Sequence, residues 1–381
     1  MLPEKVMLTT LHVTNFRCFN SLSLPKLARV NLIVGTNNAG KTSLLDAIEI
    51  LLQGGDIEAI WRNAERRGEL FDSATRPMRT ATEADVRHLF HGHALKPGIS
   101  FTLEGDLDGR ETVVCEILTA RVVMQGTEER STPQLAFDIE PGSESESTLA
   151  LRVRSRRNGV RTRALSSAGG LTDPSRVSRF DSNAKEERPV RFLGTEALES
   201  RRLGALWDDL ILTPEESSVV EALRIIEPSI ERIAFTRQSG GTRGAFFLKL
   251  TNINERIPLG SMGDGLKRLL TLSLHMARST GGSLLIDEID TGLHYSVMVR
   301  MWRLLVETAK RLNVQVFVTT HSLDCILAIA ELCEQFPALA DEVLLHRVER
   351  GEETAVTYTA SDLRVAAEQH MEVRGHAPAG K

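Results

Sequence analysis

The sequence predicts an α/β fold: a mainly parallel sheet flanked by helices, with an antiparallel β lobe and an inserted middle lobe. Three observations predict it. An apolar strand-like run, Arg29 to Val34, passes through a glycine-containing loop into a helical pattern at residues 42–52. Helix and strand patterns alternate again from Asp264 to the end of the chain, the arrangement that builds a parallel sheet with helices on its faces. Between them, residues 99–165 alternate in short strands with turn signals. The expected organisation is therefore 1–98, 99–188 as a β-rich lobe with a mobile linker, and 189–381.

Taken in order, Leu8 to Val34 reads as two strands around a loop, LTTLHVTNFRCF and RVNLIVG. In the helix that follows, Leu44, Leu45, Ile48, Leu51 and Leu52 fall at helical spacing, and Gly54-Gly55 stops it. Ile57 to Phe90 is charged and reads as helical. Residues 165–188, rich in Ser, Gly, Asp and Arg, read as the linker. Helices are expected around Leu198–Leu212 and Pro214–Ile226, then a hairpin between Ile233 and Leu250 turning near Ser239-Gly240-Gly241. A helix (Asp264–Arg278), a buried strand (Leu284–Ile286), a helix near Val297–Leu312, a strand (Val314–Thr319), a helix from Leu323 and a terminal hairpin complete the chain.

Charge is balanced, Lys+Arg 46 against Asp+Glu 51, so no global field draws the chain to nucleic acid or anionic lipid. Cys18, Cys115, Cys325 and Cys333 are scattered without CxxC spacing, which suits free thiols in a reducing compartment and makes the cytoplasm the expected location. No leader pattern opens the sequence and no apolar run is long enough for a membrane span.

Four motifs carry chemistry. Gly35-Thr36-Asn37-Asn38-Ala39-Gly40-Lys41-Thr42, followed by Ser43, is a full G-x-x-x-x-G-K-[ST] between a strand and a helix. Its glycines let backbone N–H groups and the helix start face phosphate oxygens. Lys41 is then placed to reach the β- and γ-phosphates of ATP, and the Thr42 hydroxyl to ligate Mg²⁺. Ser283 to Glu288, SLLIDE, is an apolar strand ending in two carboxylates; Asp287 falls on the metal side and Glu288 where it can activate a water. VFVTTHS delivers His321 from a further strand. Gly260-Ser261-Met262-Gly263-Asp264 precedes a helix, where Ser261, Gly263 and backbone N–H groups form either an anion site for a second subunit's γ-phosphate or an ordinary serine cap.

With NFRCF, GTNNAGKTS, GSMGDGLKR, LLIDEIDTGLH and VFVTTHS in view, the chain resembles the ABC-type ATPase heads of the SMC, RecF and OLD (overcoming lysogenization defect) proteins. It is most similar to the OLD-like prokaryotic AAA ATPases, over roughly residues 8–95 and 190–375. The resemblance implies a P-loop NTPase fold of ABC-ATPase type, with Lys41 and Thr42 on phosphate and Mg²⁺, Asp287 on Mg²⁺, and Glu288 as catalytic carboxylate. It makes His321 the switch residue, has Ser261 and Gly263 act in trans, and puts Asp290 and His294 on the dimer-facing loop. Met262 and Asp264 depart from the usual signature residues. Gln53 lies too close to the first helix to be the family's metal-contacting glutamine. Only sixty residues follow His321, so a metal-binding nuclease domain of the OLD kind is not expected.

The resemblance implies an ATP-driven homodimer or higher homo-oligomer that controls a separately encoded effector, a nuclease or toxin, in anti-phage defence, with DNA or RNA as a possible further partner. A RecF-like repair ATPase and a nucleotide-locked scaffold that holds a toxin inactive are the alternatives. One feature stands outside the resemblance. In LRVRSRRNGVRTR, Asn158-Gly159 signals a two-residue hairpin turn. Such a turn sets Arg156 opposite Arg161 and Arg154 opposite Arg163, lining Arg152, Arg154, Arg156, Arg161 and Arg163 along one face. Either a phosphate backbone or acidic partner, or the chain's own Glu140, Glu144 and Glu146 or solvent, would balance that face.

Overall fold

The structure, a computed structural model, describes residues 7–73, 81–127, 130–136, 147–174, 188–196, 200–237, 244–368 and 373. The chain opens with β1 (Leu11–Phe16), β2 (Phe19–Leu24) and β3 (Val30–Val34). β1 and β2 form a tight hairpin through Arg17 and Cys18, so the expected loop after LTTLHVTNFRCF is itself a second strand. β3 belongs to another sheet and leads through the glycine loop into α1 (Lys41–Leu52) and then α2 (Ile57–Arg66).

Helix does not continue to Phe90 as the charged stretch suggested. After the Arg67-Gly68 turn come β4 (Leu70–Ser73), β5 (Ala81–Asp85) and short 3-10 turns. The reason is pairing on both edges: β5 lies antiparallel to β4 (Leu70 opposite Ala84) and to a later strand (Asp85 opposite Gly170), and propensity within 57–90 cannot show the second ladder. Residues 100–172 supply β6 (Ser100–Asp106), β7 (Arg110–Thr127), β8 (Arg130–Ala136), β9 (Ser147–Ser155), β10 (Gly159–Ala164) and β11 (Gly170–Thr172). The strand order β10-β9-β7-β6-β1-β2, with β8 also on β7, makes one antiparallel sheet. The boundary drawn at residue 98 thus runs through a single sheet, because β6 pairs with β1 (Leu103 opposite Val13). Part of the expected linker is strand β11; residues 175–187 lie outside the described residues.

The remainder is β12 (Val190–Leu193), α3 (Ser200–Asp208), α4 (Pro214–Leu223), β13 (Ile230–Arg237), β14 (Gly244–Leu250), β15 (Ile257–Pro258), α5 (Asp264–Arg278), β16 (Ser283–Ile286), α6 (Tyr295–Arg311), β17 (Gln315–Thr319), α7 (Leu323–Gln335), α8 (Pro337–Ala340), β18 (Val343–Arg347), β19 (Val356–Tyr358) and α9 (Ala360–Glu368). The expected turn at Ser239-Gly240-Gly241 lies outside the described residues. The second sheet runs β12-β16-β17-β3-β18-β19, parallel except for β19. Its central strands β16, β17 and β3 are buried on both faces, as continuous apolar runs such as VNLIV require.

Side-chain alternation assigns the two faces. Val30, Leu32, Val34, Leu284, Ile286, Val316 and Val318 join the core beneath α5, α6 and α7, around Trp302. Ile33, Leu285 and Phe317 face the other way, onto Leu44, Leu45 and Ile48 of α1. α1 is therefore the filling between the two sheets, in contact with β1, β6 and β7 on one side and β12 and β17 on the other. Among the described residues no helix is long and apolar enough to cross a membrane.

The arginine ribbon differs from its expected register. β9 and β10 pair Ser155 with Gly159, Arg154 with Val160 and Arg152 with Thr162, leaving a three-residue loop, Arg156 to Asn158. Gly159, at φ 67, takes the left-handed position that ends such a loop. The shift by an odd number of residues puts Arg152 and Arg154 on one face and Arg161 and Arg163 on the other. Arg152 and Arg154 pair with Glu116 (2.8 and 3.6 Å), and Arg161 pairs with Asp56 (3.1 Å). Glu140, Glu144 and Glu146 lie outside the described residues. Asn158 is held in the loop by a second task. Its amide donates to the carbonyls of Gln53 (2.9 Å) and Gly54 (3.0 Å), while Arg157 donates to Leu52 (2.7 Å). The hairpin tip thus caps the open C-terminal end of α1.

Candidate functional site

β3 ends at Val34, and residues 35–40 curl back before α1 begins. Two local constraints shape the loop. A Cβ on Gly35 would sit 2.4 Å from the Val348 carbonyl, and one on Gly40, at φ 97, would meet Cys18 Sγ at 2.6 Å and the Phe19 ring. Asn38 also adopts the left-handed region, at φ 63. α1 starts with no side-chain cap and no acidic residue in its first turn, which leaves its leading N–H groups free for an anion. Lys41 Nζ turns into the loop and donates to the carbonyls of Gly35 (2.9 Å) and Thr36 (3.0 Å). Burial lowers the Lys41 pKa, and the carboxylates of Asp287 and Glu288 oppose that shift. Ser43 is buried and accepts from Arg67 Nη2 (3.2 Å), whose Nε pairs with buried Asp46 (2.6 Å).

β16 and β17 are parallel neighbours, so the ends that carry Asp287 and His321 emerge side by side. Thr42 Oγ1 lies 3.1 and 3.3 Å from the two Asp287 oxygens. A hydroxyl and a carboxylate converging this way are the hard oxygen donors that Mg²⁺ prefers, and they adjoin the phosphate-facing loop. Thr319 Oγ1 donates to Asp287 Oδ1 (2.5 Å) and accepts from the Glu288 N–H (2.9 Å). Glu288 itself is in the left-handed region, φ 48, which few non-glycine residues adopt. Its carboxylate lies 3.6 Å from His321 Nδ1, both side chains about half exposed.

Ser261 and Gly263 stand elsewhere. Ser261 is exposed on a 3-10 turn, Leu259–Met262, packed against β14, β15 and α5. Gly263 caps α5 through its backbone alone, without a side-chain hydrogen bond. Asp290 is engaged by the Thr320 hydroxyl (2.5 Å), and His294 caps α6 by accepting from the Ser296 N–H (3.4 Å). Gln53 sits at the far end of α1, held by Arg62 (2.8 Å).

A family model described as "AAA domain, putative AbiEii toxin, Type IV TA system" matches residues 30–326, from the phosphate-loop strand to α7. The chain belongs to this family. It is also 23% identical over 342 residues to the "ATP/GTP phosphatase" of Helicobacter pylori, covering 84% of this chain and 86% of that protein. Among solved structures it is similar to the SMC head domain from Thermotoga maritima (16% identical, 92% of this chain and 98% of that one, TM-score 0.40). A second is the Smc head domain with an extended coiled coil bound to the C-terminal domain of ScpA, derived from Pyrococcus furiosus (13%, 96% and 99%, TM-score 0.46). As a member of this AAA family the chain is an ATP-hydrolysing enzyme, and the family implies ATP with a divalent metal, typically Mg²⁺.

Some residues of the site were not singled out from the sequence. Thr319 reads in the sequence only as a strand residue, yet its hydroxyl ties Asp287 to Glu288. Arg268 of α5 donates to the carbonyls of Gly194 (2.8 Å), Asp287 (3.0 Å) and Glu288 (2.9 Å). Cys18 lies against the loop and hydrogen-bonds Ser43, and burial raises its pKa. The place of Thr319 within VFVTTHS, close before His321, is a sequence signal for its role. Arg268 has no such hint, because its partners are backbone carbonyls.

Proposed function

We propose that two copies of this chain face each other and complete each other's nucleotide sites. Ser261 and Gly263 of one copy approach the γ-phosphate held by Lys41 of the other. One observation supports this: Ser261 is exposed on the 3-10 turn that packs on β14, β15 and α5, and Gly263 leads into α5 with no side-chain hydrogen bond to the helix start. An anion from outside the chain satisfies that helix start. Residues Gly35 to Ser43 cradle the phosphates, with Asn37, Asn38 and Ala39 contributing backbone donors. Thr42 and Asp287 hold Mg²⁺, which when bound withdraws charge from the phosphate oxygens. Glu288 accepts a proton from the attacking water as its oxygen bonds to Pγ and the bond to the β,γ-bridging oxygen breaks. His321, beside Glu288, orients that water against the γ-phosphate.

Closure by ATP and opening by hydrolysis make the pair a switch. The family's toxin–antitoxin description supports the further reading that the switch controls a separately encoded effector, a nuclease or toxin, in an OLD-like defence system. The split arginine ribbon removes the sequence's own argument for a phosphate-binding face, so nucleic acid is not part of this proposal. Mixing Lys41→Ala with Ser261→Arg chains tests it. Each variant alone is inactive, and the mixture regains part of the ATPase rate through one intact site per heterodimer. No recovery in a mixture proved to form heterodimers refutes completion in trans.

A further inference from the structure

Arg268 occupies an unusual position for a buried cation. It lies one helical turn beyond Asp264, is 9% exposed, and spends its guanidinium on main-chain oxygens alone: Gly194 through Nη1, Asp287 and Glu288 through Nη2. The carboxylates of Asp290, Asp287 and Glu288 surround it and offset the loss of water. The last two carbonyls belong to the peptide planes on either side of the Glu288 Cα. Rotation between those planes is the φ and ψ of Glu288, so one N–H group that holds both carbonyls fixes that residue's backbone. The conformation so held is the left-handed one, φ 48, which a glutamate does not adopt unaided. Thr319 Oγ1 completes the clamp by accepting the Glu288 N–H at 2.9 Å.

Arg268 also belongs to the helix whose first residues follow Ser261 and Gly263. That helix start abuts the turn after Glu288: a Cβ on Gly265 would come within 3.0 Å of the Gly292 carbonyl. A displacement of α5 along its axis moves the Arg268 fork and the Gly292 turn together. We propose that Arg268 is a positioning residue that sets the catalytic geometry of Glu288 and links it to nucleotide engagement at Ser261 and Gly263 on the same chain. The link rests on the trans-completed dimer proposed above; the setting of Glu288 does not. Since the nucleotide at Ser261 belongs to the partner, loading of one copy steadies the other copy's carboxylate, so a singly loaded dimer turns over at a reduced rate and hydrolysis is cooperative in ATP.

Arg268→Lys keeps the charge and the aliphatic stem but loses the planar fork. ATPase assays, calorimetric ATP binding, melting curves and light scattering with a non-hydrolysable analogue are run on parent and variant. The parent is expected to dimerise with the analogue and show a Hill coefficient above 1. The variant is expected to keep parental ATP affinity, melting temperature and dimerisation, while kcat falls about tenfold, the effect of roughly one lost strain-holding contact, and the Hill coefficient drops to 1. Unchanged kcat overturns the positioning role. Loss of ATP affinity in step with kcat marks Arg268 as a brace for the fold and overturns it equally. If Arg268→Lys melts well below the parent, Arg268→Gln, which keeps one donor without a buried charge, is judged by the same readouts. A parent that stays monomeric with the analogue refutes the trans dimer and the link, leaving the kcat of the variant to decide the setting of Glu288.

Discussion

Acid should destabilise this protein through His346, a buried ring in the middle of the nucleotide sheet. It lies on β18, beside the phosphate-loop strand, and is 0% exposed. Asn31 Oδ1 accepts from Nε2 and the Thr357 hydroxyl donates to Nδ1, both at 3.2 Å, so the neutral ring is fully satisfied. Burial lowers its pKa from 6.5 to about 4. The folded pKa lies below the unfolded one, so the unfolded chain binds the proton first. Stability is therefore complete above pH 6.5 and declines as pH falls toward 4. Linkage between those two values gives a loss of about 2 kcal/mol from pH 8 to pH 5, approaching about 3 kcal/mol at full titration. Urea unfolding at pH 8 and pH 5, followed by tryptophan fluorescence, measures it in the parent and in His346→Leu. The variant is less stable at pH 8, but its loss on acidification should be smaller than the parent's by that same amount. Equal losses in the two proteins would show that His346 does not titrate on unfolding and would defeat the argument.

Lys41→Ala should abolish calorimetric ATP binding, whereas Glu288→Gln should bind ATP and lose kcat by on the order of 100-fold or more; unchanged binding in the first would refute the site. Cys18 is the one exposed thiol of the four and lies against Gly40, so Mg·ATP should slow its alkylation at pH 8.5, read by mass spectrometry. An unprotected Cys18 would mean that bound phosphates leave that side of the loop open. Asn158→Ala removes both amide bonds to the end of α1 and should cost about 1–3 kcal/mol in urea unfolding. A change below a few tenths would show that water caps the helix as well.

Periodicity was enough wherever an element's identity is local. Asp264–Arg278 is helix with the bounds its pattern indicated, because Leu266, Leu269, Leu270, Leu272 and Leu274 give it one deeply buried side. SLLI and QVFVT are strands because buried apolar runs this short can be little else beside a phosphate loop. The errors cluster where a residue has a non-local partner. Asn158-Gly159 carries the strongest short turn signal, but the Asn158 amide is drawn to Gln53 and Gly54, which lengthens the loop and splits the arginines between faces. Residues 81–85 form a strand between nearby β4 and β11, and the β11 partner, 85 or more residues later, leaves no local signal. In the candidate site, side chains placed by motif for phosphate or metal leave a spacing behind them. Those that hold the backbone, Arg268 above all, leave none.

The position of β3 governs when this protein can become active during its own synthesis. Both of its hydrogen-bonded neighbours come from the last fifth of the chain, β17 and β18. Some 280 residues separate Val34 from Gln315, so a ribosome takes roughly 15–60 s to deliver the first partner after the strand has emerged. Throughout that interval a five-residue, wholly apolar-and-asparagine segment waits with both edges unpaired and the loop behind it unformed. Early collapse of Ile33 against Leu44, Leu45 and Ile48 of α1 is the local contact available to the segment before its strand partners arrive. A truncation between Ser43 and Gln315 yields a product with the complete phosphate-loop motif but without either strand that pairs with β3.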